Sequence, residues 1–197
     1  MATESPASAY RAAVTAGPTL ETPRLLLRRW TAADREPFAG MNADAEVMRY
    51  FPATLSRTQS DAFADRIQSA FDADGFGLWA LEVRGGEPFV GFTGIWRLPE
   101  SNPHAGKVEV GWRLARAAWG NGYTVEAART AVAYGFDQAG LDEIVSMTAV
   151  ANAPSRAVME RLGMLHDPAE DFDHPEVPQD SPLCRHVLYR LRRSPEQ

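Results

Sequence analysis

The chain has 197 residues, 45% of them hydrophobic, which suits one domain with a sizeable core. Its formal net charge of −6 and pI of about 5.3 argue against non-specific nucleic-acid binding, which needs a basic face. Cys184 is the single cysteine, so no intramolecular disulfide can form, and no apolar run approaches the ~20 residues of a membrane span.

Residues 1–19 are rich in Ala, Ser, Thr and Pro without a period, and read as a flexible tail. A basic segment followed by an apolar one is missing there, which predicts no signal peptide and a cytoplasmic protein. Arg24 to Trp30 reads as a first strand. Thr31 is an N-cap candidate, with Asp34 in the first turn of a helix that carries Phe38 and Met41 on one face. Asn42 and Ala43 are expected to break this helix, and Asp44 to cap a second short one that runs to Tyr50. Ser56 opens a longer helix with Phe63, Ile67, Ala70 and Phe71 at helical spacing, stopped by Asp74-Gly75. Helices between the first and second strands predict a lobe beside a sheet, a natural place for a substrate.

Gly77 to Arg84 and Phe89 to Trp96 are the arms of a hairpin turning at Gly85-Gly86. Gly91 and Gly94 in the returning arm predict close packing against another element. After a polar loop from Leu98 to Gly106, Lys107 to Leu114 forms the next strand. Val108, Val110 and Trp112 alternate there with Glu109, Gly111 and Arg113. Glu109 is therefore expected on the face opposite Val108 and Val110, unless a bulge at Gly111 changes the register.

Trp119, Gly120, Asn121, Gly122, Tyr123 and Thr124 then lead into a helix that reaches about Gln138 and ends at Gly140. The two glycines allow a tight turn and close approach of a ligand, and the first amides of the helix have no intrahelical partner. Strand, Gly turn and helix start together make a phosphate cradle plausible. Many strand-to-helix turns carry glycine for steric reasons alone, so the loop by itself leaves both readings open. Asp142 to Val150 is a strand, and Asn152 or Ala153 caps a short helix with Pro154 in its first turn. Met164 begins a short strand, His166 to Pro182 is an acidic, Pro-containing loop, and Cys184 to Leu191 closes the chain as a strand. The order is that of a mixed α/β sheet.

Three segments carry a resemblance to the Gcn5-related N-acetyltransferase (GNAT) superfamily, and within it to the RimJ/RimL-like branch. Val108-Glu109-Val110-Gly111-Trp112 resembles the family's central strand, Trp119 to Ala127 its coenzyme A pyrophosphate loop, and Asn152 to Met164 its Asn-x-x-Ser helix. The resemblance covers about Leu20 to Leu191. It implies an α/β fold with a central mixed, mostly antiparallel sheet of about 6–7 strands flanked by helices. It also implies a single acetyltransferase domain over 20–193, with 194–197 as a C-terminal tail. The implied activity is acetyl-CoA-dependent transfer of an acetyl group to a primary amine, on a small molecule or a protein N-terminus. By the same resemblance, backbone amides from Trp119 through Gly120, Asn121, Gly122 and Tyr123 to Thr124 would hold the coenzyme A pyrophosphate. The strand end at Trp112, Arg113 and Leu114 would pair with the pantetheine arm, Asn152 would bind its side, and Ser155 would lie near the sulfur. Two departures stand out. Thr124 replaces a small residue, and its hydroxyl is expected to cap the helix. Met159 stands where many members carry a tyrosine that protonates the leaving thiolate.

Acetyl transfer needs a held cofactor, a neutral amine, a stabilised oxyanion and a leaving thiolate. No covalent enzyme intermediate is required, so Cys184 reads as apolar filler. Glu109 is the candidate base, acting directly or through a water, and an ordinary strand carboxylate is the equal alternative. Ser155 is the nearest substitute acid by position, and helix-cap or cofactor contact fits it as well. Trp79, Trp96 and Trp112 read first as packing and second as lining of an acceptor pocket. The acidic loop shows no metal-ligand spacing, and no metal is expected. If it lines the mouth, it favours a cationic acceptor. A non-catalytic coenzyme-A-binding module is the competing function, kept open by Met159. A nucleotide-binding P-loop is excluded because no Gly-x4-Gly-Lys-Ser/Thr occurs. No DNA or membrane partner is expected, and the protein is expected as a monomer or homodimer.

Overall fold

The structure, a computed structural model, describes residues 18–193, so residues 1–17 of the flexible tail expected over 1–19, and the C-terminal tail (194–197), lie outside the described residues. Strands β1 (Leu20–Glu21), β2 (Leu25–Arg28), β3 (Leu78–Val83), β4 (Gly91–Arg97) and β5 (Val108–Leu114) form a continuous antiparallel run. Strand β6 (Glu143–Ala149) joins β5 in parallel. Strand β9 (Arg185–Arg192) pairs antiparallel with β6 and carries the two-residue strands β7 (Leu165–His166) and β8 (Phe172–Asp173). The sheet thus has nine strands among the described residues, against the six or seven expected. The surplus is β1 and β8, which are two residues each and too short to show a period in sequence, whereas the short strand expected from Met164 is β7.

Helix α1 (Arg35–Ala43) follows a 3-10 turn at Ala32–Asp34, entered through a capping box between Thr31 and Asp34. Arg28 grips the Asp34 carboxylate with both Nη atoms at 2.8 and 2.9 Å, tying β2 to this turn. The expected break at Asn42 and Ala43 falls where α1 ends, with Ala43 its last residue and Asp44 its C-cap. Asn42 lies inside α1, fully buried, because its amide donates to Ser60 Oγ at 2.9 Å in place of competing for the helix backbone. The expected second helix at 44–50 is a set of turns, opened by the Asp44 side chain accepting the Glu46 amide at 2.8 Å.

Helix α2 (Arg57–Asp74) starts on a Ser56–Gln59 capping box and ends at Gly75 with φ +76°. Its Phe63, Ile67 and Phe71 face the sheet, and full burial of side chains this large contributes about 1.5–3 kcal/mol each. Helix α3 (Tyr123–Asp137) covers the other side, with Ala127, Ala128 and Ala131 against β4 and β5. Helix α4 (Ala153–Arg161) packs beside β6. A Cβ on Gly94 would stand 2.1 Å from the Gly77 carbonyl oxygen, so the close packing expected at this glycine is real.

Strands β4 and β5 pair residue for residue from Gly91–Leu114 to Arg97–Val108, with no bulge at Gly111. Glu109, Gly111 and Arg113 therefore share one face with their partners Trp96, Gly94 and Phe92. The β5–β6 pair behaves differently. Its register consists of the single match Glu109–Val145, after which the two strands part. That splay opens the centre of the sheet.

Candidate active site

The splay is the root of a cleft of about 910 Å³ that runs from the α1–α2 lobe to the first turns of α3 and α4. Where β6 leaves β5, side chains replace ladder bonds. Ser146 Oγ donates to the Val110 carbonyl at 2.9 Å, and the Met147 amide donates to Glu109 at 3.4 Å. Backbone groups alternate sides along a strand, so Trp112 and Leu114 turn theirs toward the cleft, as Val110 does. Gly111, whose carbonyl accepts from Thr93 at 2.9 Å, and Arg113 turn theirs toward β4. The Trp119 indole donates to the Leu114 carbonyl at 2.9 Å, so at Leu114 that carbonyl is already engaged. Of the three strand-end residues expected to pair with an extended ligand, the geometry therefore offers Trp112 and removes Arg113.

Beyond β5 the chain makes a 3-10 turn at Arg116–Ala118 and then the Trp119–Thr124 loop. Gly120 and Gly122 both have φ +78°, a conformation that would strain any residue with a Cβ. Gly122 is the N-cap of α3 and carries no side chain to satisfy the first helical amides. Thr124, expected as the cap, lies two residues inside the helix. The open amides and the helix dipole together fit an anion such as a pyrophosphate. Asn121 braces the loop from within, its amide donating to the Ala118 and Trp119 carbonyls at 3.2 Å each. Arg24 braces it from outside: its Nε donates to Glu126 at 2.7 Å and its Nη1 to the Asn121 carbonyl at 2.9 Å. Thr22 adds a 2.6 Å bond to Glu126. No local pattern in the sequence connects Thr22 and Arg24 with a loop about a hundred residues away.

On the acceptor side, Glu109 lies at the cleft floor, where Trp96 Nε1 donates to it at 3.1 Å. Burial pushes its carboxyl up to about 7, against the pull of the bonds from Trp96 and Met147. A carboxylate that titrates near neutral pH is a competent base for an amine. Across the cleft, Asn152 caps α4 through the Ser155 amide at 3.3 Å, and its own amide donates to Thr148 at 2.8 Å. Its side chain is thus largely committed to the helix start. Trp112 Nε1 donates to Ser155 Oγ at 3.3 Å. An indole N–H can only donate, so the Ser155 hydroxyl proton stays free to point elsewhere. Met159 is 1% exposed directly behind this turn and carries no proton. Of the three tryptophans, Trp79 is fully buried as packing, whereas Trp96 and Trp112 line the cleft.

Three carboxylates of the acidic loop are paired within the protein. Asp171 pairs with His166 at 2.7 Å, Asp173 with Arg185 at 3.3 Å, and Glu170 with Arg190. The loop reaches the cleft through His174, Glu176 and Val177. Cys184 is buried and does not itself line the cleft. No cluster of metal-ligating side chains occurs among the described residues, and no helix among them is long and apolar enough to cross a membrane.

Comparison with known proteins gives this cleft its context. Residues 24–165 match the model of the acetyltransferase (GNAT) domain. The chain is 33% identical over 160 residues to the FsC-acetyl coenzyme A-N(2)-transacetylase of Aspergillus fumigatus, covering 78% of this chain and 67% of that protein. An acetyltransferase structure from Agrobacterium tumefaciens superposes with a TM-score of 0.74 at 26% identity, over 89% of this chain and 95% of that one. Mycobacterium smegmatis RimJ, solved in complex with CoA-disulfide, shares the fold with a TM-score of 0.68 at 18% identity, over 89% and 86% of the two chains. The chain belongs to the GNAT acetyltransferase family, and its activity is acetyl-CoA-dependent transfer of an acetyl group to an amine.

Proposed function

We propose that this enzyme, a RimJ/RimL-like cytoplasmic N-acetyltransferase, acts by direct attack of a bound primary amine in a ternary complex. One observation carries the reading: the splay between β5 and β6 sets Glu109 and Ser155 on opposite walls of one cleft whose end is the Trp119–Thr124 loop. Acetyl-CoA supplies the activated thioester carbonyl. In this reading the loop amides and the α3 N-terminus hold the pyrophosphate, and the open backbone groups of Trp112 pair with the pantetheine arm.

Glu109 takes the proton that keeps the incoming amine charged, and its raised pKa makes it basic enough to do so near neutral pH. Ser155, in the first turn of α4, donates its free hydroxyl proton toward the leaving thiolate, and the N-terminal dipole of α4 favours that negative charge. This assigns Ser155 the part left vacant by Met159. The acceptor is a small-molecule amine or a peptide N-terminus, entering from the lobe formed by α1, α2 and the 44–53 turns.

The test is calorimetric titration of acetyl-CoA, with free thiol followed over a panel of amines and N-terminal peptides. Micromolar binding with thiol release in the wild type, and binding without release in Glu109→Gln, supports the reading. Failure to bind acetyl-CoA overturns the assignment of the loop.

A further inference from the structure

The acceptor half of the cleft contains a cation that acetyl transfer leaves without a task. Arg113 stands on the same face of β5 as Glu109, and Gly111 between them leaves the floor open. A Cβ placed on Gly111 would meet nothing nearer than Leu78 Cδ2 at 3.9 Å. At about 3.3 Å per residue the two Cα positions are roughly 13 Å apart.

The guanidinium of Arg113 is enclosed by three rings. Phe51, Phe92 and Phe63 have their centroids 4.2, 5.5 and 5.8 Å from its carbon. These faces offset part of its dehydration but accept no in-plane N–H. Its Nη1 donates to Asn42 Oδ1 at 2.5 Å, and Asn42 is oriented for this because its amide donates to Ser60. Its Nε is buried without a partner. Desolvation lowers the group to about 10, and no acidic neighbour opposes that shift. At neutral pH it remains charged.

The other enclosed arginines of the chain are treated differently. Arg28 pairs with Asp34 and Glu82, and Arg190 with Glu143 and Glu170. A buried charge with no counter-charge is costly in a finished fold. It is well suited to a site where a ligand brings the charge. Arg66 also lines this half of the cleft, adding to its positive field. Glu46, on the lining as well, is held by Arg116 at 2.9 Å, and Glu176 is the carboxylate that the acidic loop contributes there.

We propose that Arg113 docks an anionic oxo-group on the acetyl acceptor, so that the acceptor is a small amine that also carries a carboxylate or a phosphate. The anion bonds to the open edge of the guanidinium, and the chain of the acceptor crosses Gly111 to bring its amine to Glu109. The inference rests on the reading of Glu109 as the base. It reverses the cationic acceptor expected from the acidic loop, whose Asp171, Asp173 and Glu170 are already paired.

The experiment measures thiol release from acetyl-CoA with ω-amino acids of increasing length, each beside its primary amide. Aminoalkylphosphonates of the same lengths, spermidine and an Ala-terminated peptide complete the panel. The expected result is a tenfold or larger preference in kcat/KM for the acid or the phosphonate over the amide at one chain length. The two acid series tell carboxylate from phosphate. In Arg113→Met the favoured acid falls to the rate of its amide, the amide is unchanged, and acetyl-CoA affinity is unchanged. Arg113→Lys recovers part of the preference. Amides, spermidine or the peptide serving as well as the acids in the wild type overturns the proposal, with no variant needed. So does turnover of none of the panel while acetyl-CoA binds, or a loss of acetyl-CoA affinity in Arg113→Met. A wild type that does not bind acetyl-CoA at all overturns the cofactor reading instead.

Discussion

The two ends of the cleft are built from different materials. The loop end is made of backbone: two glycines at φ +78°, the unsatisfied amides of α3 and the open edge of β5. It comes from about fifteen consecutive residues. The acceptor end is made of side chains from separate segments: Asn42 of α1, Phe51 of the turns, Phe63 of α2, Phe92 and Trp96 of β4, and Glu109 and Arg113 of β5. A backbone site is set by local conformation, and a side-chain site by which strands and helices happen to be neighbours. Substitutions at the first end should act on acetyl-CoA binding, and those at the second on turnover and acceptor choice.

The largest effect is expected at Glu109. Glu109→Gln should lower kcat/KM by ~10²–10⁴-fold, the usual contribution of a general base, with acetyl-CoA affinity unchanged. The pH–rate profile checks the assignment: activity should rise through about pH 7 in the wild type and lose that limb in the variant. A retained limb would assign it to another group.

Next, Gly122→Ala places a Cβ where φ is +78°. The strain of roughly 1–2 kcal/mol should weaken acetyl-CoA binding about tenfold and leave acceptor preference alone. Calorimetry on the variant decides. A change in acceptor preference with intact cofactor binding would break the division between the two ends. Ser155→Ala lies on the boundary. It removes the free hydroxyl proton and strands the Trp112 indole, and it should lower kcat about tenfold with little change in acetyl-CoA Kd, read by single-turnover thiol release.

A stability measurement sharpens the contrast further. The Glu109 carboxyl is raised from 4.5 to about 7 by folding. Between these values the unfolded chain ionises first, so stability falls as pH rises from 4.5 and the loss is complete above about 7. The full shift corresponds to about 3 kcal/mol. Glu109→Gln should therefore melt several degrees above the wild type at pH 8, with the gap closing toward pH 4.5. Inactivity combined with higher stability would mark Glu109 as a group the fold holds at a cost.

The smallest effect is expected from Asp171→Asn with Asp173→Asn. Both carboxylates are committed to His166 and Arg185, and Asp173 with Arg185 is an exposed pair. The double variant should change stability by about 1 kcal/mol or less and leave the acceptor profile as it was. A selective loss of cationic acceptors would restore the acidic loop as a recognition element.

Much of this protein was legible in its sequence. The hairpin of β3 and β4, the alternation along β5, the helix start at Ser56 and the Asn152 cap with Pro154 each depend on residues within a few positions of one another. Their geometry follows from local backbone preference and a two- or 3.6-residue period. The Gly120–Gly122 turn before α3 belongs to the same class: its geometry was legible locally, while its reading as a cofactor site came from the family resemblance. What was not legible shares a cause as well. Asn42 stands in the last turn of α1, and nothing near it in sequence shows what its side chain bonds to. Inside the fold Ser60 and Arg113 satisfy it. Asp171 and Asp173 pair with His166 and Arg185, partners that no sequence pattern singles out. Strand pairing put Trp96 across from Glu109 and Phe92 across from Arg113, burial raised the Glu109 carboxyl toward neutrality, and the packing of α2 and the 44–53 turns onto the sheet brought Phe63 and Phe51 to Arg113 with no acid beside it. Local conformation is encoded locally. The charge state and solvation of a side chain are decided by its neighbours, and those exist only once the sheet has closed around them.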